Sequence, residues 1–402
     1  MKILILSSKV PFPKKDGGAI ATLNLAEGLS DVGHKILMLC LNTKKHSFDI
    51  KNIDKSLTKK IQFLAVNHDT GIKPLNLLIN FLFSKEPYNA RRFYSKEYEE
   101  LLIQILKKEK PDYIQLEGPY MGYYIPAIRE YSDSKISLRA HNVENEIWKR
   151  KQQKTRNPSI KYYLNKLSFR IEKLEKKILK SCDVLVSISD KDRDKLLKLS
   201  YIPSITIPTG LNPQNYPIPR QPEFPSLFFI GALDWMPNQE GIIWFIDEVF
   251  IKLRQNLPSI ELHVAGRNAP EWLARKLLSH KETGIIYHGE VDDAYEFMNK
   301  YAIFVSPLFT GSGIRIKILE GMMMKRAVIA TTIAVEGIPA SNKKNIFICD
   351  DSEEMKGIII DLCNNKEKYD QLAGQSRQFI IENFNTLATA KTLSDFYRTN
   401  RP

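Results

Sequence analysis

With 402 residues, 43% of them hydrophobic, and a formal charge of +13, the chain is too long for one simple core and too apolar to be disordered, so two or three globular domains are expected. Four scattered cysteines, Cys40, Cys182, Cys349 and Cys363, form no C-x-x-C pair, which argues against a disulfide frame or zinc site and for reduced thiols. The apolar part of the first nine residues is too short for a signal peptide. No apolar run reaches the roughly 18 residues of a transmembrane helix, and a cytoplasmic protein is expected.

Lys2-Ile-Leu-Ile-Leu-Ser is a continuous apolar run, as expected of a strand buried on both faces of a parallel sheet. A Pro/Gly loop through Gly17 and Gly18 leads into a helical pattern over 19–32, ended by Gly33 before a second strand at 35–40. Further strands are expected at 61–66, 113–117, 136–140 and 183–189. Pro74 to Phe83 is apolar, and Leu77, Ile79, Phe81 and Phe83 read either as core or as a lipid-facing surface. Residues 149–180 show one long, basic helical pattern. Prolines crowd the span 203–225 and mark a linker, after which strand–helix alternation restarts with strands near 227–231, 260–266, 285–288, 302–306, 328–331 and 346–349. A helical tail runs from about 352 to 398. The fold class is α/β, with two successive Rossmann-like domains across a cleft, ligands binding beyond the carboxyl ends of the strands.

Missing motifs narrow the chemistry. There is no G-x-G-x-x-G after the first strand of either half and no P-loop, H-E-x-x-H or G-x-S-x-G, so a dinucleotide cofactor or P-loop nucleotidase is not expected. The alternating acids Asp190, Asp192 and Asp194 follow a strand and could hold a metal-diphosphate. They are better read, with Ser189, as the cap and first turn of a helix. Asp292-Asp293 gets the same reading.

The stretch from Phe304 to Met324 carries the strongest chemical signal. A short strand runs into a loop whose Gly311 and Gly313 permit close backbone approach. The loop leads to a helix start suited to an anion, and Arg315 and Lys317 add positive charge. Glu320 sits in the otherwise apolar helix, where a carboxylate is costly unless bonded. Phosphate donors followed by one carboxylate suggest a nucleotide diphosphate and its ribose. An i,i+3 ion pair of Glu320 with Lys317 is the plainer alternative.

In order and spacing, Gly17-Gly18, Arg139-Ala-His141-Asn142-Val-Glu144, Pro208-Thr-Gly210-Leu-Asn212, Phe229-Ile-Gly231-Ala-Leu-Asp234-Trp-Met-Pro-Asn238, Gly289-Glu-Val-Asp292 and Pro307 to Glu320 resemble a retaining nucleotide-sugar glycosyltransferase of family 4 (group 1) with the GT-B fold. The resemblance spans nearly the whole chain. It implies an acceptor domain at 1–205, a linker at 206–225, a donor domain at 226–380, and a C-terminal helix at 381–402 packing on the first domain. It further implies a metal-independent hexosyltransferase with no cofactor, using a UDP- or GDP-sugar donor and a saccharide or glycolipid acceptor. Glu320 matches the ribose-binding glutamate. Gly311, Ser312, Gly313 and Ile314 would offer N–H groups to the diphosphate, with Gly17, Gly18 and Gly231 close to the donor. His141 matches a histidine at the reaction centre, with Glu144 as a second catalytic candidate, while Asn142, Arg139 and Glu117 are candidates for acceptor contact. Where many members carry Arg and Lys gripping the diphosphate, this chain has Ala232 and Pro237, so Arg315, Lys317 and Arg267 are the expected substitutes.

The charge is uneven: residues 1–210 hold 38 Lys/Arg against 23 Asp/Glu. That excess suits an anionic membrane surface, on the inner face of the cell membrane, or a nucleic acid; a plain soluble surface is the other reading. No nucleic-acid module is present, and no nucleic-acid partner is expected. A nucleotide-sugar epimerase of the same fold and a basic nucleic-acid-binding protein are the rival functions.

Overall fold

In the structure, a computed structural model, the described residues are 1–14, 17–216, 219–311 and 313–400, the side chain of Lys45 excepted. They form two compact units, 1–210 together with the C-terminal segment from Thr386, and Leu211–Asn385.

The first unit is built on seven parallel strands: β1 Lys2–Ser7, β2 Lys35–Thr43, β3 Ile61–His68, β4 Tyr113–Glu117, β5 Lys135–Ala140, β6 Val184–Ser187 and β7 Ser204–Thr206, in the order β3-β2-β1-β4-β5-β6-β7. The apolar runs are continuous because both faces are covered. Leu4, Leu6, Leu37 and Leu39 pack into one core while Ile3, Ile5, Ile36 and Met38 pack into the other, the period of two expected of a strand. Strand order reverses between β1 and β4, which puts Ser7 beside Glu117 at the carboxyl ends. The short β7 has no apolar run of its own and is absent from the sequence-based expectation.

Helix α1, Gly17–Asp31, follows β1, and α2 is Pro74–Phe83. None of α2's residues is buried, so its apolar side chains are not core. The expected single basic helix is two, α3 Glu144–Lys154 and α4 Pro158–Ser181. Pro158 cannot donate to the preceding turn, and Asn157 caps the new helix by accepting from the Ile160 N–H at 3.2 Å. The aspartates after β6 behave as a helix start: Ser189 Oγ accepts from the Asp192 N–H, and Asp190 pairs with Arg193 at 2.8 Å.

The second unit carries six parallel strands: β8 Glu223–Ile230, β9 Leu262–Ala265, β10 Ile285–Gly289, β11 Tyr301–Ser306, β12 Ala327–Ala330 and β13 Phe347–Ile348, in the order β10-β9-β8-β11-β12-β13. Its order reverses between β8 and β11, and α5, Ile316–Met323, follows the loop after β11. The tail expected from 352 to 398 is three helices, Ser352–Asn364, Lys366–Asn383 and α6 Thr386–Thr399. Helix α6 belongs to the first unit. The Tyr397 ring stacks on Tyr113 with centroids 4.1 Å apart, and its hydroxyl is bonded to Gln115 and Ser137. Gly28 lets α1 approach α6 closely, since a Cβ there would lie 2.8 Å from Thr386 Cγ2. Among the described residues no helix is long and apolar enough to cross a membrane.

Candidate active site

In the second unit, polar groups gather at the carboxyl ends of β8 and β11. Gly311 and Gly313 take φ of 117° and 81°, which side chains with a Cβ rarely adopt. Ser312, between them, lies outside the described residues. Arg315 does not point away as a loose cation: its guanidinium carbon sits 4.8 Å from the centroid of the Trp235 ring, and Nη1 donates to the Gly313 carbonyl at 3.1 Å. Ile314 is partly buried beside it. A Cβ on Gly311 would run into Arg315 and lie 2.8 Å from the Trp235 ring. Gly311→Ala is therefore expected to cost about 1–3 kcal/mol, read as a lowered melting temperature.

Glu320 is fully buried on α5. Lys317 Nζ donates to one carboxylate oxygen at 2.6 Å and the Tyr295 hydroxyl to the other at 3.2 Å. The i,i+3 pair foreseen from spacing is real, yet complete burial goes beyond what a helix-surface pair requires. Burial, then the Glu320 charge, pushes the Tyr295 phenol up, which keeps that hydroxyl a donor. Tyr216 packs on Tyr295 with ring centroids 4.8 Å apart.

Beyond β8, Gly231 admits the Asn238 amide, whose nitrogen donates to the Ala232 carbonyl at 2.8 Å, and Gln239 donates to the Leu233 carbonyl at 2.7 Å. Pro237 lies in the first turn of helix Met236–Trp244. These residues shape the loop but bring no charge. Arg267, just past β9, accepts from the Leu233 N–H through its carbonyl. Its guanidinium has no hydrogen-bond or ion-pair partner among the described residues. Of the three expected cations, Lys317 and Arg315 are engaged and Arg267 is the uncommitted one.

In the first unit a second cluster sits at the ends of β1, β4 and β5. Glu117 accepts hydrogen bonds from Thr22 Oγ1 at 2.8 Å, Arg139 Nη1 at 3.1 Å, His141 Nε2 at 2.6 Å and the Gln115 amide. Burial alone would raise its pKa, but the Arg139 charge and the bonds from His141 and Thr22 hold it down at about 2. An ionised carboxylate at that distance requires a proton on Nε2, so Nδ1 is the nitrogen left without a partner among the described residues. Arg139 is completely buried. The expectation that it touches an acceptor is corrected: it holds Glu117 ionised, and Glu117 orients His141. Asn142, beside His141, is partly buried and makes no hydrogen bond among the described residues. Gly17 and Gly18 are the first two residues of α1, one turn before Thr22.

Glu144 belongs to a separate group. It accepts from the Tyr120 hydroxyl at 2.9 Å, and burial raises its pKa. The Glu144 and Asn145 N–H groups donate to Glu175 at 2.8 and 3.3 Å. The hydrogen-bonded acid of His141 is thus Glu117 and not Glu144. Burial pushes Glu175 to about 7 against 4.5 for a free group. The folded state therefore binds the extra proton between about pH 4.5 and 7, and stability falls as pH rises through that window. Glu175→Gln is expected to flatten this part of a melting temperature–pH profile.

Thr22, Gln115 and Tyr295 complete these clusters and carry no motif, while Trp235 lies within the stretch Phe229–Asn238 already singled out and its contact with Arg315 is what the structure adds. The available signal was Gln115 and Glu117 standing in a strand buried on both faces, where polar side chains need partners.

Two doubly wound parallel sheets, each with polar groups collected beyond the strand ends at its switch point, define an α/β protein of the GT-B class. Residues 15–215 match the model for Glycosyltransferase Family 4 and residues 224–365 that for Glycosyl transferases group 1, and the chain belongs to glycosyltransferase family 4. It is 25% identical over 99% of its length to all of an uncharacterised 44.6 kDa protein in the cps region of Klebsiella pneumoniae. Similar solved structures include sucrose-phosphate synthase from Thermosynechococcus elongatus (TM-score 0.72, 16% identity, 99% of both chains) and Anabaena HepE in complex with UDP-glucose (TM-score 0.67, 12% identity, 99% of this chain and 100% of that one). Staphylococcus aureus TarM is comparable (TM-score 0.68, 12% identity, 98% of both). At such identities these structures establish the shared fold.

Proposed function

We propose that the protein transfers a hexosyl group from a nucleotide-diphosphate sugar to a saccharide or lipid-linked saccharide, with retention of anomeric configuration and with protein cations and N–H groups meeting the diphosphate. The observation that carries this reading is Glu320, a fully buried carboxylate just beyond a glycine loop. A carboxylate offers about four acceptor positions, and Lys317 and Tyr295 use two of them. A ribose diol can take the position that Lys317 holds together with those left open, and the displaced ammonium then turns to the diphosphate alongside Arg267. The complex of Anabaena HepE with UDP-glucose supports a nucleotide-sugar donor. The location of the Klebsiella relative in a cps region supports polysaccharide synthesis.

The chemistry follows from these groups. Charge builds on the departing diphosphate, and oriented N–H dipoles with fixed cations stabilise it most where water is excluded. His141, anchored through Nε2, presents Nδ1 to a sugar hydroxyl. Retention follows if the acceptor attacks on the face the diphosphate leaves, with the phosphate taking the acceptor proton.

A panel of UDP- and GDP-sugars tests the reading. Release of free nucleotide diphosphate together with an unaltered sugar is expected from one of them. An altered sugar still attached to its nucleotide would establish an epimerase instead, and no turnover with any donor would remove the transferase proposal.

A further inference from the structure

We propose that the face made by α2 and the exposed flank of α4 docks the protein on an anionic lipid bilayer. Helix α2, Pro-Leu-Asn-Leu-Leu-Ile-Asn-Phe-Leu-Phe, has no charged residue and no buried one. Leu75, Leu78, Leu82 and Phe83 are 68%, 55%, 57% and 84% exposed. Ten residues make a marginal helix in water without tertiary packing, and a contiguous apolar patch of this kind marks an interaction surface.

The helix is nonetheless fixed in place. Lys166 Nζ donates to the Phe81 carbonyl at 2.9 Å, and Arg170 donates to the Phe81 and Asn80 carbonyls at 3.1 and 3.3 Å. The Phe81 ring packs on Tyr163 with centroids 5.6 Å apart. The two cations of α4 therefore tie down the end of α2 while Leu75, Leu78, Leu82 and Phe83 stay outward. On α4 itself Tyr162 and Phe169 are exposed, and Lys173 lies over the Phe169 ring at 4.4 Å.

Charge selects the occupant. Residues 149–180 contain twelve Lys/Arg and two Asp/Glu, and Lys73 and Lys85 flank α2 and are exposed. An apolar face rimmed by lysines suits an anionic bilayer: the Leu and Phe side chains enter the acyl boundary while the ammonium groups remain with the phosphates. A second copy of the chain would bring two such basic rims together, which disfavours self-association.

The inference goes beyond the transferase reading, and its test needs no donor. The full chain is sedimented with vesicles of phosphatidylcholine alone and of phosphatidylcholine with phosphatidylglycerol. Binding to the anionic vesicles only, weakening as salt rises, is expected. The variant Leu78→Asn/Leu82→Asn/Phe83→Asn alters exposed side chains only and should keep the circular dichroism of the wild type while losing about tenfold or more of the binding. Phe83→Trp should show a blue-shifted emission on anionic vesicles. No binding at low salt, or equal binding by the triple variant, would overturn the inference. So would a concentration-dependent dimer, seen by sedimentation velocity, that the triple variant abolishes, because it would assign the face to a second copy.

Discussion

Glu320→Ala is expected to weaken binding of the nucleotide donor by roughly 10- to 100-fold, the worth of a charged hydrogen-bond acceptor for buried hydroxyls. Calorimetric titration with UDP and GDP reads this directly. The same change leaves the buried Tyr295 hydroxyl without its carboxylate partner, at a cost of about 1–3 kcal/mol in stability. That is small enough for the variant to stay folded and be titrated. Lys317→Ala should weaken binding less. This ammonium covers Glu320 at 2.6 Å, so its removal frees the carboxylate while also withdrawing a cation from the diphosphate. The two effects oppose each other. Unchanged nucleotide affinity in Glu320→Ala would show that the Lys317 pair is a structural feature only.

Glu117→Gln carries the largest expected effect on stability. Arg139 is completely buried and pairs with Glu117 at 3.1 Å. Neutralising the acid strands that charge in the interior, and breaking a buried pair in this way costs about 3–5 kcal/mol. The pH dependence gives an independent reading. The carboxyl is depressed from 4.5 to about 2 in the folded state, so its stabilisation is present above about pH 4.5 and is lost as pH falls toward about 2. The difference amounts to about 3 kcal/mol. Wild-type stability should fall across that acid window, and the Gln variant should lack that component. Because Glu117 also fixes the His141 ring, the variant should lose kcat more than it changes KM for the donor. An unfolding midpoint equal to the wild type would contradict the account of this pair.

The parallel sheets were legible because their strands, covered on both faces, are continuous apolar runs such as Ile3 to Leu6 and Ala302 to Val305. Strand β7 was not, since Ser204-Ile-Thr206 is only partly buried and has no run to detect. The break between α3 and α4 was hidden by basic residues that continue on either side of Pro158. For α2 the pattern is the same whether a Leu/Phe helix is buried or exposed, and only its tertiary setting, held by Lys166 and Arg170, shows that it is exposed. At the site, the Lys317–Glu320 pair could be foreseen because i,i+3 neighbours meet on a helix. The partners of Glu117 could not, because Thr22, Arg139 and His141 come from α1, β5 and the loop after β5. The buried position of Arg139, next to the strand residue Leu138, likewise argues against its reading as a candidate for acceptor contact.

The central claim is that the loop after β11 and the start of α5 hold the nucleotide diphosphate. Hydrogen exchange of the backbone amides, with and without saturating UDP or GDP, tests it most directly. Slowed exchange concentrated between Gly311 and Glu320 is predicted for the nucleotide that binds. Binding that leaves those amides unchanged while protecting another part of the chain would contradict it.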